Sequence, residues 1–151
     1  MSASRRWEIT VLCDVQSTSD NVMRRLHWRE VHRRRKAARL AGFVGWSRAG
    51  RPTVAEKVRV SILVRRGVRL DPQNIVGALK PVFDGVFVGW EEKPKGNHLP
   101  ARLPGMLPDD SAEWLEIGQV AQETGKRWKG REEVVLTVEE LPAVSVAGGE
   151  E

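Results

Sequence analysis

The chain has 151 residues and a mass of 17.0 kDa, with 40% hydrophobic content, which suits one globular domain with a core of its own. A formal charge of +5 and a pI near 9.9 favour an anionic partner, because clustered lysine and arginine displace counterions from a phosphate backbone. The single cysteine, Cys13, excludes an intramolecular disulfide and a thiolate zinc cluster. No signal peptide and no membrane-length apolar run is visible, so a cytoplasmic protein with no membrane partner is expected.

Residues 1–6 read as a flexible arm. Over 7–13, Trp7, Ile9, Val11 and Cys13 alternate with Glu8, Thr10 and Leu12, the pattern of a strand with one buried face, which makes Cys13 a strand residue rather than a nucleophile. The cap- and turn-forming residues of 16–21 form a loop. A helix is predicted over about 26–44, with Trp28, Val31, Ala38 and Ala41 toward one side. Arg25, Arg29, His32, Arg33, Lys36 and Arg39 lie toward the other.

Between residues 24 and 39 there are eight lysines and arginines against one acid, Glu30. Like charges at i, i+4 repel, so a phosphate-tracking surface explains this excess better than an ordinary solvated face. Arg25, Arg29, Arg33, Lys36 and Arg39 are therefore candidate DNA contacts. His27 and His32 lack the carboxylate or histidine partners of a metal site. Residues 45–53 read as a turn-rich connection. Val58, Val60, Ile62 and Val64 then alternate with Arg59, Ser61, Leu63 and Arg65, a strand that leads through Arg69 and Leu70 to Asp71.

Asp71 is a good N-cap and Pro72 suits the first helical position, so a helix is predicted over about 71–86. At about 100° per residue, Ile75, Val76, Ala78, Leu79, Val82, Phe83 and Val86 share a core-facing arc. Asn74, Gly77, Lys80, Pro81 and Asp84 form the other face, and Pro81 should bend the helix toward it. Residues 87–107 read as an inserted surface loop. Its Trp90 could stack on an unpaired base or be tucked onto the domain, and Glu91 and Glu92 could add charge to a cation site. Asp109 and Asp110 precede a strand at about 114–120, and a second strand is predicted at 133–141. Between these strands, glycines bracket Lys126, Arg127, Trp128 and Lys129, a basic hairpin tip that suits either a distorted DNA backbone or simple solubility. Residues 142–151 read as a disordered acidic tail. P-loop, dinucleotide and Ser/His/Asp signatures are absent, so no small-molecule cofactor is expected.

The ordered set Asp71, Gln73 and Asn74, then Lys80 and Asp84, then Asp109 and Asp110, resembles the RusA-like Holliday-junction resolvases of phages and prophages. Their signature is a strand ending in D-x-D-N, a helix with a lysine and an aspartate four residues on, and a separate D-D pair before another strand. The likeness runs over about 21–140. Gln73 stands where the signature has its second aspartate, Lys80 lies six residues past Asn74 rather than three, and 87–107 is long.

The resemblance implies one α/β (α+β) domain over 7–141, a mixed sheet of about four strands with two main helices packed on it. It also implies a homodimer acting on branched DNA, the four-way junction, in a bacterial or phage-infected cell. Asp71, Asp109 and Asp110 would hold Mg²⁺, or Mn²⁺ in its place, with Gln73 a neutral ligand. Asp71, Asp110 and Lys80 would be catalytic, supported by Asn74 and Asp84, and Arg69 would join the hairpin tip in contacting DNA. The implied activity is metal-dependent paired nicking. The alternatives are a junction-binding protein whose cleavage is impaired by Gln73, and a basic accessory protein with a purely structural acidic cluster.

Overall fold

The computed structural model describes residues 5–92, 96, 101–107 and 114–142. Alternating apolar residues produce the expected strands β1 (Arg6–Val11), β2 (Val58–Arg66) and β6 (Glu133–Glu140), and the less regular β5 (Leu115–Thr124) joins them. They form one mixed sheet in the order β1-β6-β2-β5. β6 pairs antiparallel with both β1 and β2, and β5 pairs parallel with β2, with a register shift between Val60 and Ile62. Ile9, Val11, Val58, Val60, Ile62, Val64, Val134, Leu136 and Val138 are almost wholly buried beneath the helices. Each such side chain is worth about 1.5–3 kcal/mol relative to exposure.

Two helical elements pack against this sheet, giving a single α/β domain. The first is α2 (Trp28–Arg48), preceded by a 3₁₀ turn at Val15–Thr18 and the short α1 (Asp20–Met23). The second spans 72–88 in four pieces: a 3₁₀ turn (Pro72–Asn74), α3 (Ile75–Ala78), α4 (Lys80–Phe83) and a π turn (Asp84–Val88). Pro81 cannot donate a backbone hydrogen bond, and the expected bend appears as a break at Leu79, between α3 and α4. The predicted core arc holds, with Ile75, Ala78, Leu79, Val82, Phe83 and Val86 buried and Val76 partly so.

Several expectations need correction. Residues 45–48 are the last turn of α2, not a connection: a Cβ at Gly45 would lie 2.7 Å from the Thr10 carbonyl oxygen, so this glycine serves close helix-to-strand packing. Cys13 lies beyond the end of β1, and burial pushes its thiol up to about 12, consistent with an inert side chain. Of the predicted arm, residue 6 belongs to β1 and the Arg5 guanidinium pairs with Glu140 at 2.9 Å, while residues 1–4 lie outside the described residues.

The segment 87–107 is not a surface loop where it is described. Phe87, Met106 and Leu107 are buried, and β3 (Gly89–Glu92) pairs antiparallel with β4 (Ala101–Pro104). Backbone bonds from Met106 to Val86 (2.9 Å) and from Leu107 to Phe87 (3.2 Å) fasten it to the π turn. Trp90 packs against the core, 6.5 Å from the Phe43 ring. β5 and β6 do not form a hairpin, because β2 runs between them. Their connection passes over the end of β2, where Gly125 N–H donates to the Arg66 carbonyl at 3.3 Å.

α2 crosses the 80–88 segment at backbone contact. A Cβ at Gly42 would sit 2.3 Å from the Val82 oxygen, and one at Gly85 would sit 2.0 Å from the Arg39 oxygen, whereas one at Gly77 would meet nothing within 4 Å. Gly85→Ala should therefore lower stability by about 1–3 kcal/mol. Gly77→Ala, on an open helical site, should raise it by about 0.5–1 kcal/mol. Urea midpoints at unchanged slope would check both; equal midpoints for the two variants would contradict the crossing.

Candidate nucleic-acid and metal site

Asp71 occupies the place its sequence implies, between the end of β2 and the first helical turn. Its Oδ1 accepts the Gln73 backbone N–H at 3.1 Å, and Pro72 follows as the first helical residue. Asp71, Gln73 and Lys80 are exposed, Asn74 and Asp84 are partly buried, and Gly77 leaves open space on the same segment.

A clamp that the sequence does not advertise holds this turn. Gln122 on β5 accepts the Leu70 N–H through Oε1 and donates from Nε2 to the Leu70 carbonyl, both at 2.8 Å. Its side-chain amide thus satisfies both backbone polar groups of Leu70, the residue before Asp71. Buried Arg66 acts similarly one strand over, donating to Gln16 Oε1 at 2.7 Å, to Asp14 at 3.4 Å and to the Val68 carbonyl. The only sequence signal for either is a polar residue at an inward-facing strand position.

Asp109 and Asp110 lie outside the described residues. They fall between Leu107 and Trp114, which lies one residue ahead of β5. Among the described residues no three histidine, cysteine, aspartate or glutamate side chains gather as metal ligands. Asp71 and Gln73 offer hard oxygen donors of the kind Mg²⁺ takes. They fit that cation in kind but fall short of it in number, so a site there depends on the tandem acids. An open groove lined by Cys13, Asp14, Arg131, Glu132 and Glu133 lies near the same end of the sheet. Its acids are already engaged: Asp14 caps Gln16 and pairs with Arg66, and Glu132 accepts the Gly130 N–H at 3.0 Å.

The basic candidates divide into committed and available groups. Arg33 is held by Glu30 through two hydrogen bonds of 2.8 and 2.6 Å, Arg39 donates to the Gly89 carbonyl at 3.0 Å, and Arg127 pairs with Glu123 at 2.9 Å. Arg29 leans over the Trp28 ring, 5.4 Å from its centre. Arg25, Lys36, Arg69, Lys126 and Lys129 are exposed, and no ion pair engages them among the described residues. Trp128 is not a free platform: the Arg65 and Arg127 guanidiniums sit 5.0 and 4.6 Å from its ring centre.

Charge on the sheet's outer face is largely paired. Arg59 meets Glu116 at 2.6 Å and Arg65 meets Glu133 at 2.9 Å. The surplus positive charge therefore concentrates on α2 and at the end of β2.

No protein-family model matches the chain, and no curated protein matches it significantly. Among the described residues no helix is long and apolar enough to cross a membrane.

Gln122→Ala should leave the Leu70 N–H and carbonyl without these partners, lowering stability by about 1–3 kcal/mol. Hydrogen exchange should quicken over 69–73 while β6 stays protected; unchanged exchange there would remove Gln122 as the positioning residue. Hydrogen bonds from Arg33 and Arg34 hold the Glu30 carboxyl at about 2. With the folded value below the unfolded one, this support for α2 is complete above the ordinary glutamate range and is lost as pH falls through about 2. An NMR titration of the Glu30 side chain should show that midpoint, moving upward in Arg33→Ala and Arg34→Ala.

Proposed function

We propose that this protein is a divalent-metal-dependent endonuclease of branched DNA, acting by paired nicking of four-way junctions as a homodimer, as its resemblance to the RusA-like resolvases implies. The observation that carries the reading is an exposed carboxylate, Asp71, that follows the Leu70 backbone gripped by Gln122 at the end of β2, where Arg69, Lys126 and Lys129 are also exposed and not ion-paired among the described residues. Phosphate binding needs such cations, and hydrolysis of a phosphodiester needs an oxygen ligand for the metal beside them.

In this reading Asp71, Asp109 and Asp110 hold Mg²⁺ or Mn²⁺, with Gln73 as a neutral ligand. When bound, the cation supplies Lewis-acid polarisation and a water of lowered pKa. Lys80, exposed on the same helical segment, neutralises charge on the phosphate, with Asp84 and Asn74 as supporting residues. Arg69, Lys126 and Lys129 position the backbone at the end of β2, and Arg25 and Lys36 extend the contact along α2.

A specific observation favours a second reading, a junction-binding protein with impaired cleavage. Gln73 is exposed beside Asp71 and brings no charge where the signature has a carboxylate, while Asp71 gives one oxygen to its own cap.

Purified protein should nick a synthetic four-way junction with Mg²⁺ and not with EDTA. Asp71→Asn preserves the cap and should lower nicking by about 10²-fold or more while leaving junction binding in EDTA intact. Millimolar Mg²⁺ or Mn²⁺ should raise the melting temperature of the wild type but not of Asp71→Asn. Binding without nicking, with activity appearing in Gln73→Asp, would establish the second reading. Absence of both nicking and any metal-induced melting shift would end the nuclease proposal.

A further inference from the structure

α2 is 21 residues long, but its buried residues are Ala38, Gly42, Phe43, Gly45 and Trp46. The preceding stretch, 28–37, therefore overhangs the core. At its outer end Trp28, which the sequence places on one side with Val31, Ala38 and Ala41, is 67% exposed. Its neighbours are cationic or aromatic: the Arg29 guanidinium lies 5.4 Å from the indole centre, and the His27 ring lies 5.6 Å away, tilted by 33°. Arg24, Arg25 and His32, within four residues of Trp28 along the chain, are also exposed. Glu30, the only acid between residues 24 and 39, is held by Arg33 and Arg34.

A large aromatic side chain left this open loses the gain of burial, and its position among cations argues against an apolar protein partner, which would have to desolvate them. A nucleobase removes the conflict. Its π face covers the indole while the flanking phosphates meet the arginines, and such stacking tolerates any base. Duplex DNA keeps its bases stacked on one another and cannot use the indole in this way.

We propose that Trp28, with Arg24, Arg25 and Arg29 around it, is a stacking platform for an unpaired nucleobase, and that the overhanging end of α2 thereby binds single-stranded DNA. The proposal rests on the nucleic-acid reading given above and adds a site, remote from Asp71 in sequence, that would favour unpaired or opened DNA over intact duplex.

The test is fluorescence anisotropy with a labelled oligothymidine and a blunt duplex of equal length, at one fixed salt concentration. Trp28→Ala should weaken oligothymidine binding by about tenfold, within a range of about 5–150-fold, and duplex binding by less than about twofold. Trp28→Phe should retain most of the single-strand affinity, and circular dichroism should be unchanged in both variants. The proposal is overturned if wild type fails to bind oligothymidine, if Trp28→Ala binds it equally well, or if both substrates weaken alike. Trp28-dependent binding to phosphatidylglycerol vesicles without Trp28-dependent oligonucleotide binding would also overturn it. Trp28-dependent binding with no junction nicking would remove the nuclease reading alone, and junction nicking with no Trp28 dependence would remove this inference alone.

Discussion

One turn of chain, Val15–Thr18, ties together the elements on which the candidate surface depends. The break before Pro81 leaves carbonyls at the end of α3 that need donors, and the buried Thr18 hydroxyl donates to the Ala78 oxygen at 2.8 Å. The same turn offers the Ser17 carbonyl to Arg34 of α2 at 3.2 Å and the Gln16 amide oxygen to Arg66 at 2.7 Å. The broken helix, the basic helix and the end of β2 are thus fixed against a common anchor. Because each contact satisfies a group in a partly or wholly buried setting, removing one leaves a desolvated donor or acceptor behind.

The glycine crossings set where α2 stops being part of the core. Gly42 and Gly45 allow its second half to lie against Val82 and Thr10 at backbone distance. Its first half touches the fold through Arg34, which donates to the Ser17 carbonyl, and leaves Arg29, Arg35 and Lys36 exposed without an ion pair among the described residues. The acids of β5 and β6 meanwhile neutralise the arginines of β2 and of the β5–β6 connection on the outer face of the sheet. This division of charge is invisible in a net value of +5. It leaves the basic helix as a field directed away from the core, which suits a polyanion that arrives from solvent.

Much of the framework was legible in the residues. Period-two alternation located β1, β2 and β6, and the Asp71-Pro72 pair located a helix start to the residue. The core arc of the proline-containing segment followed from its apolar spacing. Less legible were places where one residue type serves two purposes. Gly45 reads as a turn but acts as a packing surface, and Met106 and Leu107 are buried although they lie within a Pro-, Gly- and Lys-rich stretch. Val134, Val135 and Leu136 form a continuous apolar run, the mark of an interior strand. That run was the available clue that β6 lies between β1 and β2 rather than in a hairpin with β5.

The sequence by itself determined the local elements, the cap at Asp71, the break at Pro81 and the excess of cations near the start of α2. Each of these follows from dihedral preference, missing hydrogen-bond donors or charge within a few residues. Only the tertiary structure decided that Gln122 grips Leu70, that two guanidiniums contact the Trp128 ring, that Trp90 joins the core and that Trp28 does not. Those outcomes depend on strand order and on which part of a helix finds a neighbour, and contacts between residues tens of positions apart leave no periodic trace along the chain.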